Sequence, residues 1–278
     1  MNQNIIDNCL KCPVCELGLR LSGNSLMCER GHCFDLASAG YVNLASSKQA
    51  GGGDSKELVA ARVAFLAAGY YETFAREVSR RVAEHARGGV VVDAGCGEGY
   101  YSLMAAEAAE SDVCGFDLSK FAVMAAAKAA RRRGVDAAFA VAGIFDMPLR
   151  DGCADLVMNL FAPCAPEEFA RVLRPGGHLI VAGAGEQHLE GLKGIIYDEV
   201  TPNQTRADLP DTPQLHLVEQ ARVTYDISVE CREDIMALFS MTPYYYRTAE
   251  AGRARLEAAD RLDTRVDFDI FVYEKAEN

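Results

Sequence analysis

A chain of 278 residues with 50% hydrophobic and 24% charged residues can bury one large core, alone or with a small appendage. No window approaches the roughly 18 consecutive apolar residues of a membrane span, and the N-terminal MNQNIIDNCLKC lacks the basic and apolar regions of a signal peptide, so a cytoplasmic protein is the expectation. A net charge of −12 argues against nucleic-acid binding driven by overall charge, while leaving local patches open.

Of ten cysteines, Cys9, Cys12, Cys15, Cys28 and Cys33 cluster at the N-terminus, which suggests a metal site rather than a disulfide framework. The pattern Cys12-x2-Cys15-x12-Cys28-x3-His32 puts two close pairs on two turns, which suits tetrahedral Zn²⁺. Four protein ligands leave no open position, so the site is expected to be structural. Cys33 competes with His32 for the fourth position, and Cys9 reads as a bystander. Short extended runs at 17–21, 25–28 and 32–35 alternate with turns. A module this small cannot own a core, so the metal would stand in for one.

Residues 45–55, ASSKQAGGGDS, read as a linker. From 56 to 87, Leu58, Ala61 and Phe65, then Phe74, Val78 and Val82, recur at helical spacing around Gly69, which predicts two helices. Strands are predicted at 90–94, 112–117, 137–142, 154–161 and 177–182, with helices at 119–133 and 166–173 and two last strands at 222–229 and 266–274. This alternation predicts an α/β domain, its mostly parallel sheet covered by helices on both faces, with an antiparallel strand near the C-terminal end. The expected organisation is a zinc-binding module at 1–45, a linker and leading helices at 46–89, and the α/β domain at 90–278.

The segment VVVDAGCGEGYY joins a strand ending in Asp93 to a turn containing Gly95, Gly97 and Gly99 and then to a helix. Such glycines let backbone approach a ligand where a Cβ would clash. The G-x-G-x-G spacing after an acid resembles motif I of class I S-adenosylmethionine (SAM) methyltransferases. That resemblance implies a Rossmann-like, mostly parallel seven-stranded sheet, a turn under the methionine part of the cofactor, and an acid on the ribose hydroxyls. Asp117, in CGFDLS, stands where that acid belongs, and Arg174-Pro175-Gly176-Gly177 matches the family's turn before the fifth strand. Gly143 occupies the place where the family often has an adenine-contacting Asp, so that contact must come from backbone or elsewhere. The bland alternative is a generic α/β protein with a glycine-rich first turn.

The two modules in this order resemble the RlmA-type 23S rRNA guanine-N1 methyltransferases. The matching strings run nearly end to end: CPVC…C-x3-H, FDLASAGYVNL, FLAAGYYE, DAGCGEGYY, APC…EEFARVLRPGG, HLEGLKGIIYDEV and LFSMTPYYYR. The resemblance implies zinc ligands Cys12, Cys15, Cys28 and His32. It implies cofactor contacts from Tyr71, Gly97, Glu98 and His188, beside Asp93, Gly95 and Asp117. It also implies SAM-dependent N1-methylation of a guanosine in a 23S rRNA hairpin loop, and is compatible with a homodimer that holds the hairpin between subunits.

Guanine N1 is protonated at neutral pH, so an acceptor is needed; Glu199 and Asp146 are candidates, each equally readable as a surface charge. Asn159, placed at the start of the loop after the fourth strand, can bond a base edge but cannot take a proton. Cys164 reads as a packed thiol, because methylating a ring nitrogen needs no covalent adduct. Tyr244, Tyr245, Tyr246 and Arg247 could stack RNA bases or be half-buried core. Arg131, Arg132 and Arg133 could touch phosphate or simply end a helix. Residues 1–60 hold five Lys/Arg against six Asp/Glu, so the zinc module is no basic arm. A small-molecule methyltransferase and a non-catalytic zinc-ribbon RNA-binding protein remain as alternatives.

Overall fold

The computed structural model describes residues 1–46, 53–203 and 212–277. Most of the expected linker, residues 47–52, lies outside them. The N-terminal module carries a short helix α1 (Gln3–Asn8), strands β1 (Arg20–Ser22), β2 (Ser25–Met27) and β3 (Cys33–Asp35), and a two-residue strand β4 (Val42–Asn43). The first three form a small antiparallel sheet, whereas β4 pairs in parallel with the main sheet.

Helices α2 (Lys56–Ala67) and α3 (Glu72–Ala86) follow, separated at Gly69 as expected. Ser55 caps α2 by accepting from the Leu58 N–H, and α3 buries Phe74, Val78 and Val82, one residue per turn. The alternating part runs β5 (Val90–Ala94), α4 (Tyr100–Ala109), β6 (Asp112–Asp117), α5 (Lys120–Arg133), β7 (Ala137–Val141), β8 (Ala154–Leu160), α6 (Pro166–Val172), β9 (Leu173–Ala184) and α7 (Glu190–Ile196). It closes with β10 (Leu215–Val229), α8 (Arg232–Ser240), a 3-10 turn (Pro243–Tyr246), α9 (Glu250–Glu257) and β11 (Leu262–Lys275). The sheet order is β10-β11-β9-β8-β5-β6-β7-β4. Its seven long strands are those expected, with β11 antiparallel between β9 and β10; β4 adds an eighth.

Side chains alternate between two cores, as a sheet buried on both faces requires. Val91, Val113, Phe139, Leu156 and Ile180 enter the core with α2 and α3. Val92, Cys114, Ala138, Val157 and Leu179 enter the other. Ile5, Ile6 and Leu10, all fully buried, belong to that second core, and Asn2 donates to the Asp112 carboxylate at 2.7 Å. The N-terminal module therefore borrows the apolar face of the main sheet, so metal is not its sole anchor.

The last three strands are longer than their hydrophobic signal. Along β10 the solvent face carries Gln220, Arg222, Thr224, Asp226 and Ser228 and the other face is only half-buried, so pattern reading finds only its C-terminal half, 222–229. Strand β9 begins before its Pro175-Gly176-Gly177 segment. Its register with β8 jumps from Leu173 opposite Ala154 to His178 opposite Leu156, so that segment forms a bulge rather than a turn before the strand.

Candidate functional site

The carboxyl ends of β5, β6, β8 and β9 meet where the sheet order reverses, which is where doubly wound sheets bind ligands. Asp93, next to last in β5, is only 2% exposed and accepts from the Ser102 hydroxyl at 2.5 Å. Burial, reinforced by the nearby Asp117 and Glu98 charges, pushes its carboxyl up to about 7, against the pull of the Ser102 bond. The chain then turns through Gly95 at φ +96°, where a Cβ would sit 2.4 Å from the Ala162 Cβ, and Gly99 at φ +81°, where it would meet Ala126 at 2.8 Å. At either position a side chain would clash and strain the backbone. The turn is held to β6: the Gly95 and Cys96 N–H groups donate to the Phe116 carbonyl at 2.9 Å. The Gly97 N–H donates to the Asp117 carboxylate at 3.1 Å, whose other oxygen accepts from the Ser119 N–H at 2.7 Å.

Glu98 is 7% exposed, and its Oε2 is a buried oxygen without a hydrogen-bond partner. Its nearest opposite charge is Arg62 of α2, at 3.6 Å, which also pairs with Asp54. Burial raises the Glu98 and Asp117 carboxyls above the usual range. Three carboxylates around a backbone cradle, one with an orphaned oxygen, fit a cationic nucleoside such as SAM, whose sulfonium and ammonium would relieve their mutual repulsion.

Tyr71 lies at the entry to α3, 5% exposed, with its ring edge-on to Phe65 and to Phe268 of β11. His188 follows β9, its ring 4.4 Å from Phe268 and 6.2 Å from Tyr71. The Asp267 N–H donates to His188 Nδ1 at 3.3 Å, which leaves the proton on Nε2. Burial drops this imidazole to about 3, so it is neutral at physiological pH. The structure thus brings Tyr71 and His188 together, around Phe268.

Residues that carry no motif hold this wall in place. Asp267, fully buried, binds Arg222, the Thr224 hydroxyl and the Gln187 N–H, fixing the segment before His188. Asn203 donates to the Gly185 and His188 carbonyls and accepts from Tyr244 at 2.7 Å and from the buried Lys193 at 3.4 Å. Arg62, Asp267 and Asn203 were invisible in the sequence because each acts through a partner distant along the chain, and Asp54 because it acts through Arg62.

One placement is corrected, and the open alternatives are narrowed. Asn159 lies inside β8, not in the loop after it, and its amide donates to the Ala94 and Pro163 carbonyls at 3.0 and 2.9 Å, so it braces the strand end. Glu199 is exposed beyond α7, and Asp146 lines a small cavity with Lys11 and Cys12 beside the metal cluster. Neither is bonded to the turn. Cys164 is a partly buried thiol against the second core. The tyrosine triplet is split: Tyr244 is spent on Asn203, Tyr245 packs against Phe239 and Arg253, and Tyr246 is 74% exposed. Arg131 donates to the Ser38 carbonyl and Arg133 pairs with Glu107, so both serve packing at the end of α5.

In the N-terminal module, ligand atoms of Cys12, Cys15, Cys28 and His32 all lie within 4.8 Å of one another. The Cys15 and Cys28 sulfurs are 3.6 Å apart, and His32 Nδ1 is 3.5 Å from Cys12 Sγ and 3.3 Å from Cys28 Sγ. A tetrahedron with Zn–S of about 2.3 Å and Zn–N of about 2.0 Å has edges of about 3.8 and 3.5 Å, so these four atoms could hold zinc. Burial raises the Cys28 thiol, but hydrogen bonds from the His32 and Arg30 backbone and its Cys15 and His32 neighbours bring it down to about 6, towards thiolate. Cys33 is exposed and outside the cluster, and Cys9 is buried, with its thiol towards the Cys153 carbonyl.

Comparison with known proteins agrees with this architecture. Residues 85–228 match the family described as a methyltransferase domain, and residues 10–49 match the RlmA N-terminal zinc ribbon. The chain is 41% identical over 198 residues, 69% of each chain, to the 23S rRNA (guanine(748)-N(1))-methyltransferase of Streptomyces fradiae. It is 34% identical over 267 residues, 87% of this chain and 88% of the relative, to a Micromonospora griseorubida protein named "Putative 23S rRNA (guanine-N(1)-)-methyltransferase". A Bacillus subtilis (strain 168) protein with the same name, followed by YxjB, is 28% identical over 286 residues, 98% of this chain and 99% of that one. A glycine cradle for SAM, a zinc ribbon packed on the same sheet and relatives at this identity place the chain in the RlmA-type 23S rRNA guanine-N1 methyltransferase family.

Proposed function

We propose that the protein methylates N1 of a guanosine in a hairpin loop of 23S rRNA, using SAM, and that Cys12, Cys15, Cys28 and His32 hold a structural zinc ion. The observation that carries this reading is the acidic glycine cradle and the Cys3His cluster docked on one sheet, in a chain 41% identical to a named 23S rRNA enzyme. SAM supplies a methyl group made electrophilic by its sulfonium. In this reading Asp117 accepts from the ribose hydroxyls, while Gly95 and Gly97 let backbone approach the cofactor. Glu98 and Asp93 supply negative charge beside its cationic groups. Tyr71 and neutral His188, braced by Phe268, close the methionine end and exclude water. The remaining work is alignment of N1 with the methyl carbon, with the N1 proton passing to a base or to water as the N1–methyl bond forms and the methyl–sulfur bond breaks.

The N1 edge is paired in a duplex, so the target must be single-stranded, which supports a loop. An rRNA substrate supports a reaction in the cytoplasm; among the described residues no helix is long and apolar enough to cross a membrane. The long edge strand β10, paired only with β11 among the described residues, supports a homodimer joined along that edge. The Streptomyces fradiae relative is named for guanine 748, which makes that nucleotide the first to inspect. The test is incubation with methyl-labelled SAM and 23S rRNA lacking the modification, followed by digestion to nucleosides. Label in 1-methylguanosine is expected; label in another nucleoside, or only in small metabolites, refutes the proposal.

A further inference from the structure

Phe161, immediately after β8, has features that the fold alone does not call for. It adopts φ +56°, a left-handed conformation that bulky side chains avoid and that Gly or Asn takes readily. Among the described non-glycine residues with positive φ, it is the aromatic one. Its side chain is 43% exposed. Yet the ring is firmly backed: it lies 4.7 Å from Phe268, 5.4 Å from Phe74 and 6.1 Å from Tyr101, centre to centre. Phe268 in turn carries Tyr71 and His188. The next residue, Ala162, supplies the methyl group that forbids a side chain on Gly95. A half-open aromatic ring, braced by other rings, therefore stands one residue from the cofactor turn. It is on the β8 side, across β5 from the β6 strand that bears Asp117.

A flat, rigid and partly open ring is what an unpaired base stacks on. We propose that Phe161 stacks on the target guanine and so holds N1 in line with the methyl group; this rests on the reading of the chain as a guanine-N1 methyltransferase. The site belongs to the base and not to the cofactor's adenine, because the ribose acid lies on the opposite side of the turn.

The test compares F161Y, F161L and F161A with wild type, measuring kcat/KM on unmethylated 23S rRNA and S-adenosylhomocysteine affinity by calorimetry. Stacking of one base corresponds to roughly 5- to 150-fold, so F161L and F161A should lose about that much in kcat/KM. F161Y, which keeps the ring, should stay within about threefold, and cofactor affinity should hold within about twofold throughout. Leucine preserves the apolar bulk, so F161L reads the ring even if F161A folds poorly. Equal turnover for F161L and F161Y, or a parallel loss of cofactor affinity, overturns the proposal. If wild type yields no 1-methylguanosine, the functional reading fails and the proposal with it; if wild type yields it and F161L is undiminished, the proposal alone fails.

Discussion

The metal cluster and the cofactor turn are both tight loops that gather several ionisable groups, and they keep their shape by different means. Around Cys12, Cys15, Cys28 and His32 the strands are three residues long at most, and the four ligand atoms converge with little else at the centre to hold them there. Around Gly95 the loop is clamped by backbone bonds to β6, by Asp117 and by close packing against Ala162 and Ala126. The first gathers its ligand atoms where a metal ion would hold them together. The second is a preformed cradle that keeps acidic groups buried at a cost and recovers that cost when a cation binds.

The largest effect that would break this contrast lies on the metal side. Structural zinc in small modules contributes on the order of 10–16 kcal/mol, so Cys12→Ser or strong chelation should release one zinc per chain and open the segment around the ligands, residues 12–35, to protease. Metal analysis and limited proteolysis read this; unchanged zinc content would refute the ligand set. Cys33→Ser, at an exposed position outside the cluster, should leave zinc content unchanged. The sheet-facing Ile5, Ile6 and Leu10 should keep part of the module docked even then.

Next comes the buried acid of the cradle. The Asp93 carboxyl rises from 3.8 to about 7 on folding. A raised folded value means that the unfolded chain ionises first, so stability is full below about pH 4, falls as pH rises to about 7, and is level above. At about 1.4 kcal/mol per unit the loss is on the order of 4 kcal/mol. Denaturant titrations without cofactor should show wild type losing stability between pH 4 and 7 relative to Asp93→Asn. Parallel curves would mean that Asp93 is not strained by burial.

A smaller effect, on the order of 1–3 kcal/mol, is expected for Gly95→Ala, which meets both the left-handed backbone and Ala162. Its melting temperature should fall, and S-adenosylhomocysteine should bind at least tenfold more weakly. Retained affinity would show the turn to be less rigid than its packing indicates.

What could be read in advance follows from how local the physics is. Strand β5, strand β6, the glycines, Asp117 and the zinc spacing are short-range patterns, and all appear where the sequence placed them. Tyr71 and His188, 117 positions apart, were known only through the family resemblance; their meeting depends on Phe268 of β11. Asn159 was misplaced because a buried polar residue at a strand end looks, in one dimension, like the start of a loop. Phe161 escaped because a positive φ leaves no trace in composition, and Asn203 and Asp267 because their bonds span 10 or more residues.

The central claim is tested most directly by reverse transcription through 23S rRNA treated with the enzyme and SAM. Methylation at N1 blocks the Watson–Crick edge, so the account predicts one new stop immediately 3′ to a single guanosine, appearing only with SAM and only with the zinc-loaded enzyme. No new stop, or stops scattered over other bases, would contradict it.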